Sequence, residues 1–132
     1  MPKKLINPKA LYDATPLGMS QAVIDSESAL VFISGQVDWD DQHQVSSNSV
    51  AGQLESALKK LEIALHAAGA SVNTLLQVRM YVRGEVEDHL ETCAPIMSAF
   101  FGSSRPALTG IGVASLATRA TLVEIEAIAR VE

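Results

Sequence analysis

The sequence predicts an α+β fold: a mixed sheet with two helices on one face, in the order β-β-α-β-α-β-β. Three observations carry this reading. Val50, Leu54, Ala57, Leu58, Leu61, Ala64, Leu65 and Ala68 recur at helical spacing. Period-two alternation flanks that helix, and is clearest near the end of the chain. There Val123, Ile125, Ala127 and Ala129 take one strand face while Leu122, Glu124, Glu126 and Ile128 take the other. Short polar or glycine-bearing breaks separate the segments.

In chain order, residues 20–25 and 29–35 read as two strands, with Ser26-Glu27-Ser28 as the hairpin turn. A polar stretch from Asp38 to Asn48 comes next, read as a solvated loop. It holds the lone tryptophan, Trp39, placed outside the core where an aromatic could fold over a cleft mouth. Ser47 or Asn48 suits the helix start and Gly69 the stop, and Glu55 precedes Lys59 by four in the favourable order. Residues 74–83 return to period two, with Leu76, Val78, Met80 and Val82 on one face and Gln77, Arg79, Tyr81 and Arg83 on the other. A second helix is expected over about 92–101, with Cys93, Met97, Phe100 and Phe101 inward. Pro95 requires its first turn, where amides lack intrahelical partners. Gly102 ends it, and two strands close the chain. In the first of these, Leu108, Gly110 and Gly112 share a face, and the glycines leave room for a ligand.

A length of 132 residues suits a single domain spanning 1–132 that buries a core without staples. Cys93 is the only cysteine, so no internal disulfide forms and a reducing, cytoplasmic setting is expected. No signal peptide is read at Met1-Pro2-Lys3-Lys4, and no apolar run reaches bilayer length, so no membrane partner is expected. The net charge is −5 and Lys and Arg are scattered, which argues against nucleic acid as a partner. Two helices on one sheet face leave the other uncovered, which an oligomer would solve. No cofactor or metal is expected. His89 and Cys93 lie four apart, but a metal needs three or four ligands and Cys93 belongs to the helical stripe. His43 among Asp38, Asp40 and Asp41 lacks calcium-loop spacing.

Several short segments, in order, resemble the RidA/YjgF family: Leu17-Gly18-Met19-Ser20-Gln21-Ala22-Val23, Ser34-Gly35-Gln36, Ala67-Ala68-Gly69, Met80-Tyr81-Val82, Ser98-Ala99-Phe100-Phe101, Pro106-Ala107, and the strand Val123-Glu124-Ile125-Glu126-Ala127-Ile128-Ala129. The resemblance covers nearly the whole chain. It implies a chorismate-mutase-like subunit of a homotrimer, with a small-metabolite cleft at each subunit interface. In relatives that hydrolyse reactive imines and enamines, an arginine grips the substrate carboxylate with a bidentate fork, and a glutamate holds the attacking water. The glutamate position is Glu124. The arginine position holds Leu108, the family's tyrosine falls at Met19, its asparagine near Ala94, and a frequent cysteine at Gly110. Ser34 and Gly35 keep the family's residues.

The resemblance therefore implies an arginine-lacking branch. Leucine cannot bind a carboxylate, and burying one without a donor costs several kcal/mol. Activity on 2-iminobutanoate or 2-iminopropanoate is expected to be weak or absent. Met19, Ala94 and Leu108 would line an apolar pocket with Glu124 at one end, suited to neutral or cationic molecules. Glu124 reads either as a general acid/base with a raised pKa or as a structural acceptor at the interface. Arg105, three residues before Leu108, could reach the cleft as a replacement; a solvated loop residue is the plainer reading. Three functions stay open: hydrolysis or deamination of a small nitrogen compound, ligand binding without chemistry, and RNA cleavage or translation inhibition.

Overall fold

Six strands form one mixed sheet in the computed structural model, which describes residues 2–132. They are β1 (Lys3–Ile6), β2 (Ala22–Asp25), β3 (Leu30–Gln36), β4 (Leu75–Arg83), β5 (Ala107–Val113) and β6 (Val123–Arg130), with α1 (Val50–Ala67) and α2 (Leu90–Phe101) between them. Their spatial order is β1-β2-β3-β6-β4-β5. The β4–β5 pair is parallel and the others are antiparallel. That parallel pair needs a crossover, and α2 supplies it.

The α+β class and the two-helix layer stand as expected. The alternating residues of β6 face inward as read: Val123, Ile125, Ala127 and Ala129 are buried with Val31, Ile33, Val78, Met80 and Val82 under the helices. The α1 stripe of Leu54, Ala57, Leu58, Leu61, Ala64 and Leu65 closes this core. Cys93, Met97 and Phe101 add the α2 contribution, while Phe100 packs half-buried at its edge.

The structure corrects several details. A first strand, β1, precedes those expected and pairs with β2; its side chains are mostly exposed, so it carries no hydrophobic alternation to read. The helix cap is Ser49 rather than Ser47 or Asn48: its hydroxyl accepts from the Gly52 amide at 3.0 Å. Gly69, with φ 75°, lies just past the helix end as expected. Leu75 rather than Leu76 enters the core, because the β4–β6 register shifts between Leu75 and Gln77 and flips the first residue of the alternation. Pro95 is the sixth residue of α2, not in its first turn. Both Pro95 and Glu91, whose carbonyl loses its partner, are exposed, so water can take that bond.

Trp39 is not on a solvated loop. It is 7% exposed and packs in a second small cluster with Tyr12, Ala14 and Val37. Its indole nitrogen donates to Thr121 Oγ1 at 3.0 Å, and its ring stacks on His43 with centroids 4.5 Å apart. The loop around it is anchored by Asp38. That buried carboxylate accepts from the Ser46 amide (2.8 Å), the Ser46 hydroxyl (2.7 Å), the Ser47 amide (2.9 Å) and the Ser56 hydroxyl on α1 (2.7 Å). Burial by itself would raise its pKa; the bonds from Ser46, Ser56 and Ser47 together leave it lowered. No helix is long and apolar enough to cross a membrane among the described residues.

Candidate functional site

The sheet's uncovered face carries the charged residues of β4 and β6. Arg79 lies opposite Glu126, and Tyr81 opposite Glu124, so all four side chains share this face. Glu126 is the partnered acid. The Tyr81 hydroxyl donates to its Oε1, and Arg79 Nη1 lies 3.5 Å from the same oxygen. The Glu126 bond is the main reason the Tyr81 pKa is raised. Arg83 turns aside, donating from Nη2 to the Thr118 carbonyl at 2.8 Å.

Glu124 is the unpartnered acid: no side chain or backbone group donates to it among the described residues. It is half-buried, and its pKa is raised, first by that burial and then by the negative charge of Glu126. Its side chain lies flat over Gly35. A Cβ at position 35 would overlap the carboxylate and come within 2.8 Å of Glu124 Cγ. Position 35 is therefore glycine because the glutamate occupies the space of a side chain.

The Ser34-Gly35-Gln36 segment is held by buried polar groups. The β3–β6 register shifts between Ile33 and Gln36, making a bulge at Ser34 and Gly35. Gln36 Nε2 donates to Gln21 Oε1 and to the Ser34 carbonyl, both at 3.0 Å, and Gln21 Nε2 donates to the Tyr12 carbonyl at 3.0 Å. The Ser34 hydroxyl donates to the Ser20 carbonyl at 2.6 Å. Gln21 and Gln36 are 0% and 1% exposed, so the bond between their amides is sealed from water, while Ser20 and Ser34 lie half-buried beside it. Tyr12 is a site neighbour that the sequence reading missed. Burial raises its phenol pKa, Gln21 opposes that, and the charge of Glu124 adds to it. Only the mixed polarity of Leu11-Tyr12-Asp13 hinted at it.

Leu108, Gly110 and Ala94 meet elsewhere. In the parallel register Val78 pairs with Leu108, Met80 with Gly110 and Val82 with Gly112, which puts these β5 residues on the helix side of the sheet. Leu108, Gly110 and Ala94 line an apolar cavity of about 320 Å³ between β5 and α2. Cys93, Met80 and Met97 also line it, and burial raises the Cys93 thiol pKa. Gly112 answers a different need from the one expected. A Cβ there would collide with the Gly84 carbonyl oxygen, so backbone rather than ligand makes the close approach. Met19 packs against the Tyr12–Trp39 cluster, away from Leu108. Arg105 is exposed at φ 47° before β5 and does not line the cavity.

The chain thus sorts the expected residues into two groups. Glu124, Ser34 and Gly35 lie on the open face; Ala94, Leu108 and Gly110 lie on the helix side. The apolar slot with Glu124 at its end does not exist within a single chain.

The endoribonuclease L-PSP family model matches residues 13–131, nearly the whole chain. The chain belongs to this family, which is the RidA/YjgF family. A RutC family protein of Pyrococcus horikoshii is 30% identical over 115 residues, covering 86% of this chain and 88% of that one. A 2-iminobutanoate/2-iminopropanoate deaminase of Dermatophagoides farinae is 28% identical over 119 residues, 89% of either chain. Among solved structures, a Mycobacterium tuberculosis member of the YjgF/YER057c/UK114 family superposes with a TM-score of 0.82 at 28% identity, covering 98% of this chain and 99% of that one. Yeast Mmf1 reaches a TM-score of 0.86 at 21% identity, with 98% and 99% coverage, and confirms the fold.

Proposed function

We propose that this RidA/YjgF protein hydrolyses a small, reactive imine or enamine-type nitrogen compound in a cleft formed between two subunits of a homotrimer. The observation that carries this reading is Glu124: a half-buried carboxyl with a raised pKa and no partner, beside an acid that has two. Structural acceptors are paired; a general base has to be free, and burial that raises a carboxyl's pKa makes its carboxylate a stronger base. The separation of Glu124 from Leu108 and Ala94 supports a composite cleft, in which one subunit offers the acid and its neighbour the cavity.

In this mechanism the Glu124 carboxylate takes a proton from water as the water oxygen bonds to the iminium carbon and the C=N π pair moves to nitrogen. Glu124 then returns the proton to nitrogen. The C–N bond breaks, the oxygen lone pair closes the carbonyl, and ammonia leaves with the hydroxyl proton as ammonium. Leu108 at the arginine position makes the chain an arginine-lacking member, with little activity on 2-iminopropanoate or 2-iminobutanoate. The family's name carries ribonuclease activity, but a net charge of −5 opposes a polyanion.

The test is to generate imines in situ by oxidising a panel of primary amines and amino acids, and to follow ammonia and carbonyl release. Wild type should accelerate hydrolysis of at least one, and Glu124→Gln should lose about 100-fold or more, as expected for a general base. Equal rates for the two proteins on every accelerated imine would remove Glu124 as the base, and acceleration of no imine would leave a binding trimer without chemistry as the better reading.

A further inference from the structure

We propose that the cavity between α2 and β5 receives the apolar tail of a substrate with no carboxylate: an imine derived from a primary amine rather than from an amino acid. This deepens the imine-hydrolase reading and rests on it.

The cavity measures about 320 Å³, and no charged side chain lines it. Its wall is Met80, Leu90, Met97, Phe101 and Leu108, with the Cys93 thiol and Ser98 hydroxyl as its polar side chains. A dry apolar cavity of about 150 Å³ holds benzene, so this space admits a phenyl ring and a chain of two or three carbons. A carboxylate entering it would shed its hydration with no donor fork to replace it. Two methionines let the wall adapt to the shape of the tail. The mouth lies at exposed Ala94 and at Leu108, which is 49% exposed although its neighbours are apolar. The charged iminium end would stay at that mouth, where the composite cleft places the neighbouring subunit's acid.

The substrate has then lost the carboxylate that amino-acid-derived imines keep. Two-electron oxidation of a primary amine, R–CH2–NH3+, by an amine-oxidising enzyme with its own electron acceptor gives R–CH=NH2+. Hydrolysis here converts R–CH=NH2+ and H2O into R–CHO and NH4+. The class of reaction that must supply the substrate is amine oxidation, and the product is an aldehyde.

The experiment compares 2-phenylethylamine with phenylacetate, two ligands of the same ring and reach with opposite charge. In calorimetry the amine should bind at least tenfold more tightly. Ala94→Phe, at an exposed position that leaves the core untouched, should abolish amine binding with an unchanged melting temperature. Tighter phenylacetate binding, or amine binding undiminished in Ala94→Phe, would overturn the proposal. The turnover arm offers the imine of oxidised 2-phenylethylamine beside 2-iminopropanoate. Faster hydrolysis of the first supports the proposal. Hydrolysis of 2-iminopropanoate alone overturns it while the hydrolase reading stands; hydrolysis of neither overturns it as well, and the hydrolase reading falls only if no imine of the wider panel is hydrolysed.

Discussion

At the residue scale, Glu124 and Asp38 are two buried-leaning acids driven in opposite directions, and the difference is in their donors. Asp38 has four, so its folded pKa lies below its unfolded value. Its stabilisation is present above the unfolded pKa and is lost as pH falls through the folded one, in the acid range below about 4. Asp38→Ala should cost about 2–3 kcal/mol at pH 7, since it removes four hydrogen bonds to a buried carboxylate and unties the loop from α1. Denaturant unfolding at pH 7 and pH 3 would check this, because the gap should narrow at the lower pH. Glu124 has the reverse sign. Its raised pKa means that the charged form is disfavoured by the fold, so it destabilises above the folded pKa and ceases to do so as pH falls through it towards the unfolded value. Glu124→Gln should therefore melt at a higher temperature than wild type near pH 8 and at the same temperature near pH 4. A lower melting temperature at pH 8 would mean that the carboxylate is a structural acceptor after all. The identity of Glu124 was legible in the last-strand alternation. Its lack of a partner was not, because pairing of Glu126 with Tyr81 and Arg79 depends on register.

At the element scale, the segments legible in the residues are those with a constant period. The α1 stripe and the inward face of β6 repeat regularly, and both stand where the pattern puts them. Breaks in the period were invisible: the Leu75–Gln77 shift moved Leu76 to the outside, and the Ser34–Gly35 bulge turned an apparent strand end into a platform under Glu124. Trp39 looked like a loop residue because its neighbours are polar. The polar groups of the loop are turned inward on one another: Asp38 accepts from Ser46 and Ser47, Asp40 accepts from the Gln42 and Gln44 amides, and the loop so tied down buries the indole. The bulge itself depends on two glutamines that no periodicity reveals. Gln36→Leu should cost about 2–3 kcal/mol, because Gln21 Oε1 and the Ser34 carbonyl each lose a buried donor. Because Gln36 holds the Ser34 carbonyl, the same change should lower kcat more than it raises KM. Urea unfolding and steady-state kinetics measure the two effects separately.

At the scale of the whole molecule, the open sheet face argues for assembly. Phe32 is 46% exposed on β3, and Ile128 stands opposite it on β6. The ion pair of Arg79 with Glu126 borders the same shallow hollow. An apolar patch rimmed by charge, on a sheet face that no helix covers, is the form of a subunit interface. The expected assembly is a trimer, with light scattering giving three times the 14.0 kDa chain mass. Phe32→Asp should shift it towards monomer without unfolding the α1-covered core. A sharper test uses the two separated halves of the site. Glu124→Gln removes the acid and Ala94→Phe blocks the cavity, so each homotrimer should be inactive. If a closed ring brings the acid of one subunit to the cavity of the next, mixed trimers contain intact sites. Random reassembly of an equal mixture gives each site a wild-type acid half the time and an open cavity half the time. About a quarter of wild-type activity should therefore return after the two variants are dissociated and reassociated together, and none when each is treated alone. If acid and cavity served the same site within one chain, no mixture would recover activity, and the composite cleft would have to be abandoned.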